Sequence, residues 1–230
     1  DSANAANITV AAMTKRLDAN GAAGTNQGMR YAGAAITDTT YHIWAVSKAD
    51  GTQDIYATPN ASASTASAAI TLLQAETGGA DYLYARRIGS IMRAGGSIVA
   101  FSQRGDEFLK VTPTLDIDAS APGTSAVTRT LALPLGVELE AIVNARSGGS
   151  GAVSNACYIS PLVATDQAVS ATASPLWNVG VTAGSFTQSA QLRVRTNTSA
   201  QIRSRNEASD ANVSIRIATV GWIDRRGRDD

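Results

Sequence analysis

Reactive side chains are scarce in this chain: 230 residues carry one cysteine and one histidine. A lone thiol, Cys157, permits no intrachain disulfide and no thiolate cluster for a metal. Within the strand-like run Ala156-Cys157-Tyr158-Ile159 it reads as a small buried hydrophobe. His42 lacks the Cys or His partners that a zinc site needs. No serine stands in a Gly-x-Ser-x-Gly setting, so His42 reads as a strand-face residue, not as a catalytic base. No cofactor is expected, and the chain is expected not to be an enzyme.

Charge is also sparse. Charged residues make up 17% of the sequence and the formal net charge is zero, against about a quarter charged in an ordinary domain. Without a basic excess there is no field to neutralise phosphates, which argues against a nucleic-acid partner. No apolar run approaches the roughly 18 residues of a membrane span, so no membrane insertion is expected. The start, Asp1-Ser2-Ala3-Asn4, has no Met, basic region or apolar region. It is expected to be no signal peptide, with Asp1 following on from a longer chain.

What is present is alternation. Val213, Ile215 and Ile217 fall on one face of a strand while Ser214, Arg216 and Ala218 fall on the other, the two-residue period of a half-buried strand. The cations lean to Arg, with Lys15, Lys48 and Lys110 the three lysines. Arg packs and pairs well at protein interfaces, although genomic base composition also raises its frequency.

Residues 1–36 are poorly patterned and read as an N-terminal connector, with short strands possible at Asn7-Ile8-Thr9-Val10 and near Leu17. Residues 37–112 read as a β meander. Tyr41, Ile43 and Ala45 alternate with His42, Trp44 and Val46 to give a strand with two apolar faces. Asp50-Gly51 signals a hairpin, Ala68 to Glu76 a short helix, and Ala94-Gly95-Gly96 and Arg104-Gly105-Asp106 further turns. Thr112-Pro113 is the expected boundary.

From 113 to 230 strands are expected near Val127–Leu133, Val137–Arg146, Ala152–Ser160, Ala190–Asn197, Gln201–Arg205 and Val213–Asp224. Ser147-Gly148-Gly149-Ser150-Gly151 reads as a hairpin tip and Pro161–Phe186 as a long crossover connection with short strands at best. The fold class is therefore all-β, an antiparallel sandwich or jelly roll.

Several spaced motifs occur in order. They are Thr14-Lys15-Arg16-Leu17-Asp18, Thr40-Tyr41-His42-Ile43-Trp44-Ala45-Val46, Tyr84-Ala85-Arg86-Arg87-Ile88-Gly89-Ser90-Ile91 and Phe101-Ser102-Gln103-Arg104-Gly105-Asp106-Glu107-Phe108. Thr196-Asn197-Thr198-Ser199-Ala200-Gln201-Ile202-Arg203-Ser204-Arg205 and Gly221-Trp222-Ile223-Asp224-Arg225-Arg226-Gly227-Arg228 complete the set. Together they resemble fibre and appendage proteins of tailed bacteriophages, over about residues 8–228. The resemblance implies an extracellular virion component on a tail fibre, tail tip or head fibre. It also implies partners among other virion proteins and copies of the chain itself, a homotrimer being the commonest state. Catalytic residues are not implied. A carbohydrate-binding adhesin module is the alternative, with a host-surface glycan as partner.

Trp177 follows Pro175 in the long connection and is the candidate glycan-stacking residue; Trp44 and Trp222 are expected in the core. Asp106-Glu107, Asp116/Asp118 and Glu138/Glu140 are carboxylate pairs of the kind glycoside hydrolysis uses, though Glu138 and Glu140 also fit the wet face of a strand. Arg193/Arg195 and Arg203/Arg205 would form a guanidinium ladder if their strands made a hairpin. Glu138, Glu140, Asp210 or a neighbouring subunit would then supply the partners.

Overall fold

The computed structural model describes residues 9–149, 155–170, 177–179 and 186–226, with Trp177–Val179 and Phe186 described through the backbone alone. The strands are β1 (Lys15–Asn20), β2 (Gln27–Arg30), β3 (Thr40–Lys48), β4 (Gln53–Pro59), β5 (Tyr82–Ala94), β6 (Ser97–Ile98), β7 (Phe101–Arg104) and β8 (Glu107–Ser120). They continue as β9 (Val127–Thr130), β10 (Glu140–Gly149), β11 (Asn155–Pro161), β12 (Trp177–Val179), β13 (Phe186–Arg195), β14 (Gln201–Asn206) and β15 (Val213–Ile223). One helix, α1 (Ala66–Gln74), interrupts them. The fold is all-β, of sandwich type. Two compact units divide it, Asp1–Val99 with Arg226–Asp230 and Ala100–Arg225.

The first unit is a sheet in the order β1-β2-β4-β3-β5-β6. Period-2 patterning explains its two-sided core. Trp44, Val46 and Tyr56 point to one face, where Ala69 and Leu73 of α1 and Tyr82 cover them. Tyr41 and Ala57 point to the other, joined by Leu17 and Met29. The helix begins at Thr65, whose extended backbone lets its hydroxyl accept from the Ala68 amide, a standard N-cap.

Two glycine turns do what only glycine does cheaply. Gly51 (φ 87°) closes β3 onto β4, and Gly95 and Gly96 (φ 58° and 80°) close β5 onto β6. Two successive positive φ values are what a type I′ hairpin requires.

The segment expected to be a connector contributes β1 and β2 to this sheet, in parallel pairing. Two features hold it there. Leu17 and Met29 are buried in the core, and Lys15 is buried against Asp54. The Asn7-Ile8 part of the expected first strand lies outside the described residues.

The second unit is built from two antiparallel sheets, β13-β10-β15-β8-β7 and β12-β11-β14-β9. From β8 to β11, and again from β12 to β15, each connection carries the chain from one sheet to the other. Their inner faces hold Val143, Ala145, Ile215 and Ile217 on one side and Cys157, Ile159 and Ile202 on the other, all at most 2% exposed. Asn155 links the two: its Nδ2 donates to Ser147 Oγ at 2.7 Å, and its Oδ1 accepts from Asn206 Nδ2 and from the Ala208 amide, both at 3.4 Å. Phe101, Phe108 and Trp222 cluster at one end, with the Phe108 and Trp222 rings stacked at 5.2 Å and 4°.

Three readings of this region change. The Thr112-Pro113 boundary falls inside β8, because that strand pairs with β15 on both sides of the irregularity around these residues; the contacts divide the chain at Val99/Ala100 instead. Ser147, Gly148 and Gly149 are strand, not a turn, because β10 pairs with β13 and β15 along its whole length. Ser150 and Gly151 lie outside the described residues. Third, the strand expected near Ala190 begins earlier, at Phe186, while Trp177 begins a short strand, β12, opposite Cys157.

Candidate functional site

Beneath α1 the first unit has an open recess of about 150 Å³. Local backbone geometry shapes it. After the helix the chain turns three times in succession: the Glu76 amide donates to Leu73 O, Gly79 to Glu76 O and Tyr82 to Gly79 O, at 3.0–3.1 Å. Gly79 is required here, since a Cβ would lie 1.8 Å from the Leu73 carbonyl oxygen. These turns bring Glu76 back over β4. Its Oε1 accepts from the Ala32 amide at 2.7 Å and from Tyr56 Oη at 2.9 Å. Glu76 Oε2 makes no hydrogen bond among the described residues.

On the opposite wall Lys15 Nζ lies 2.6 Å from Asp54 Oδ1, with both side chains under 10% exposed. Lys15 also donates to the carbonyls of Ala22 and Gly24, and Asp54 accepts from the amides of Gly24 and Ile55. This network fixes the Gly21–Gly24 loop along the rim. Lys48 Nζ sits 5.0 Å from the centroid of the Tyr82 ring, a cation–π distance, and 3.5 Å from Asp81. Burial, and then the Glu76 hydrogen bond, push the Tyr56 phenol well above its ordinary value. Burial, helped by Asp54 and Asp50, raises Tyr82 too. Both phenols therefore stay neutral across the physiological range, and Tyr56 donates its proton to Glu76.

His42 proves to be the centre of a buried network. Its Nε2 donates to Asn60 Oδ1 at 3.0 Å, leaving Nδ1 to accept the Ser90 hydroxyl at 2.9 Å. Arg87 also donates to Ser90 Oγ, at 3.2 Å. The connectivity is that of a nucleophile, a base and an orienting amide, yet His42 and Ser90 are both 0% exposed. No substrate carbonyl reaches that hydroxyl, and the network joins β3 to β5.

The arginine ladder does not form. Arg193 and Arg195 lie on β13 and Arg203 and Arg205 on β14, and these strands belong to different sheets. Each guanidinium finds its own partner within the chain. Arg195 meets Glu138, Arg193 lies 3.9 Å from Glu140, Arg205 lies 2.6 Å from Asp166, and Arg203 donates to the Ala164 carbonyl. Asp210 instead accepts from the Asn212 amide.

The Glu138/Glu140 and Asp116/Asp118 carboxylates are likewise occupied. Asp118 lies 2.7 Å from Arg216. Asp116 is the extra residue of a bulge between Ile117 and Leu115, so it leaves the face it would share with Asp118 and accepts from Thr219 Oγ1 and the Ala132 amide. In Arg104-Gly105-Asp106, Arg104 ends β7 and Gly105-Asp106 is the two-residue turn into β8, with Gly105 at φ 59°. Trp44 and Trp222 are core residues, 2% and 0% exposed. The Trp177 side chain, the candidate glycan contact, lies outside the described part of the structure. Among the described residues no group of three or more His, Cys, Asp or Glu side chains is placed to hold a metal ion. The recess itself was not foreseen, because its walls come from five separated segments.

The fold class is thus an all-β sandwich. No protein-family model and no curated protein matches the chain. A solved structure of the T13 IBDV viral particle is similar at 13% identity, covering 79% of this chain and 50% of that chain, with a TM-score of 0.22. The chain thus spans about half the length of that match. Among the described residues no helix is long and apolar enough to cross a membrane.

Proposed function

We propose that this chain is a structural component of a tailed-phage or phage-like particle, a fibre or tail-tip module that touches the host surface. The observation that supports this reading is the row of apolar side chains projecting from β8: Leu109, Val111 and Leu115 are 37%, 67% and 55% exposed. Beyond its pairing with β7, which ends at Lys110, this strand also presents a sheet edge. An apolar row beside an edge is a surface for packing against protein. Other virion proteins and further copies of the chain, in a trimer, are the partners proposed.

The motif resemblance from Thr14 to Arg228 points the same way. The recess under α1 favours a second reading, a carbohydrate-binding adhesin, and a fibre can be both. The test is immunogold electron microscopy of purified particles with antiserum to the chain. Gold on the tail tip or its fibres is the expected result. Gold on the head would make it a head fibre or decoration protein, and particles that never label would overturn the reading.

A further inference from the structure

We infer that the recess under α1 binds one uncharged pyranose ring, held between Tyr56, Glu76 and Lys48. The proposal names the chemistry of the host contact and rests on the preceding reading for the biological source of the sugar alone.

Size sets the first limit. The recess is open and about 150 Å³ in volume, the scale of a cavity that takes one benzene ring, so it seats a single sugar ring with part of that ring left in solvent. Charge sets the second. A cationic ligand would compete with Lys48 for the Tyr82 ring, and an anionic one would meet the Glu76 carboxylate, Asp54 being already neutralised by Lys15. A neutral ring with several hydroxyls avoids both penalties.

The available hydrogen-bonding atoms match such a ligand. Glu76 is held by two donors on Oε1, which leaves Oε2 to accept from a sugar hydroxyl in a fixed direction. Lys48 donates from across the recess, and Thr52 and Thr77, also in the lining, both donate and accept. The Tyr56 ring edge and Leu73 supply the apolar surface that sugar C–H groups pack on. Protein sites for small ligands combine these parts, an apolar wall and a few fixed polar groups.

Gly21 offers a precise probe. A Cβ built there lies 3.5 Å from Glu76 Oε2 and 3.6 Å from the Tyr56 ring, ordinary contact distances. Gly21→Ala therefore folds, yet places a methyl in the space between those two groups.

The experiment is saturation-transfer NMR on the full chain with D-glucose, D-galactose, D-mannose and N-acetylglucosamine, and with glucosamine and N-acetylneuraminic acid as charged controls, followed by titration. At least one is expected to bind with a dissociation constant on the order of millimolar, as suits one ring. Gly21→Ala is expected to weaken that binding tenfold or more with an unchanged Tm. Glu76→Gln should weaken it as well, but since Glu76 also ties Tyr56 to the Ala32 amide, the glycine variant decides. Absence of transfer to every sugar would overturn the proposal. So would binding that Gly21→Ala leaves intact, or a preference for glucosamine or N-acetylneuraminic acid over the neutral sugars. None of these outcomes alters the immunogold result, so the two readings fail separately.

Discussion

Lys15 Nζ and Asp54 Oδ1 form a 2.6 Å ion pair in which both side chains are buried. The pair ties β1 to β4 across the intervening β2, and three of its four remaining hydrogen bonds go to the Gly21–Gly24 loop, the fourth coming from the Ile55 amide. Breaking such a pair from one side leaves an uncompensated buried charge. Lys15→Met is expected to lower stability by about 3 kcal/mol in urea denaturation. Lys15→Met combined with Asp54→Asn should recover a large part of that loss. A double variant no more stable than Lys15→Met would show that the attraction was not what mattered.

Asp116 should shape the acid limb of the stability curve. Burial raises its carboxyl above the usual aspartate range, against the opposing pull of Thr219, Ala132 and Lys110. The folded chain therefore takes up a proton at a higher pH than the unfolded chain. Between that raised value and the ordinary 3.8 the folded state binds more protons, so this group's contribution to stability rises as pH falls. Comparing urea midpoints across this window, the wild type should gain on Asp116→Asn with acidification. A constant difference would refute the assignment.

Cys157 should be chemically silent in the folded protein. It is 0% exposed, and burial pushes its thiol up to about 12, so almost no thiolate exists at neutral pH. A disulfide reagent such as Ellman's is expected to release one equivalent of thiolate in denaturant and almost none in buffer over the same time. Prompt reaction in buffer would mean that the two sheets of the second unit open readily.

The His42 network makes a stability prediction with a control. His42→Ala removes the acceptor of the buried Ser90 hydroxyl and the donor to the half-buried Asn60 Oδ1 and opens a cavity, at a cost of about 3 kcal/mol. Ser90→Ala removes the hydroxyl that donates to Nδ1 and accepts from Arg87, and should cost about 1 kcal/mol. Thermal unfolding of both variants gives the comparison, and equal losses would mean that the imidazole acts through its hydrogen bond to Ser90 and that its volume contributes nothing.

Much of this architecture was legible because a strand with one wet face writes its period into the sequence. Val213 to Ile217 and Tyr41 to Val46 lie as their alternation requires, and Gly51 marks its turn. The misreadings share a cause, which is that sheet membership is decided by distant partners. Arg195 and Arg203 are eight residues apart in a stretch that looks like a hairpin, yet the chain changes sheets between them. Gly148 and Gly149 look like a turn until β13 and β15 pair with them on either side. Asp116 leaves its expected face through a bulge that no local pattern announces. The recess under α1 was invisible for a related reason, since Gly21, Lys48, Tyr56, Glu76 and Tyr82 meet only once the sheet and helix have formed.

The position of β15 between β8 and β10 has a consequence for how the second unit is made. Its central strand is the last to leave the ribosome, more than ninety residues after β8, whose Asp118 awaits Arg216 across a separation of 98 positions. Until then β8 and β10 are two half-sheets with no common neighbour, each exposing apolar side chains. Nascent chains stopped short of Val213 should be insoluble or held by chaperones, and the unit should fold in one late step.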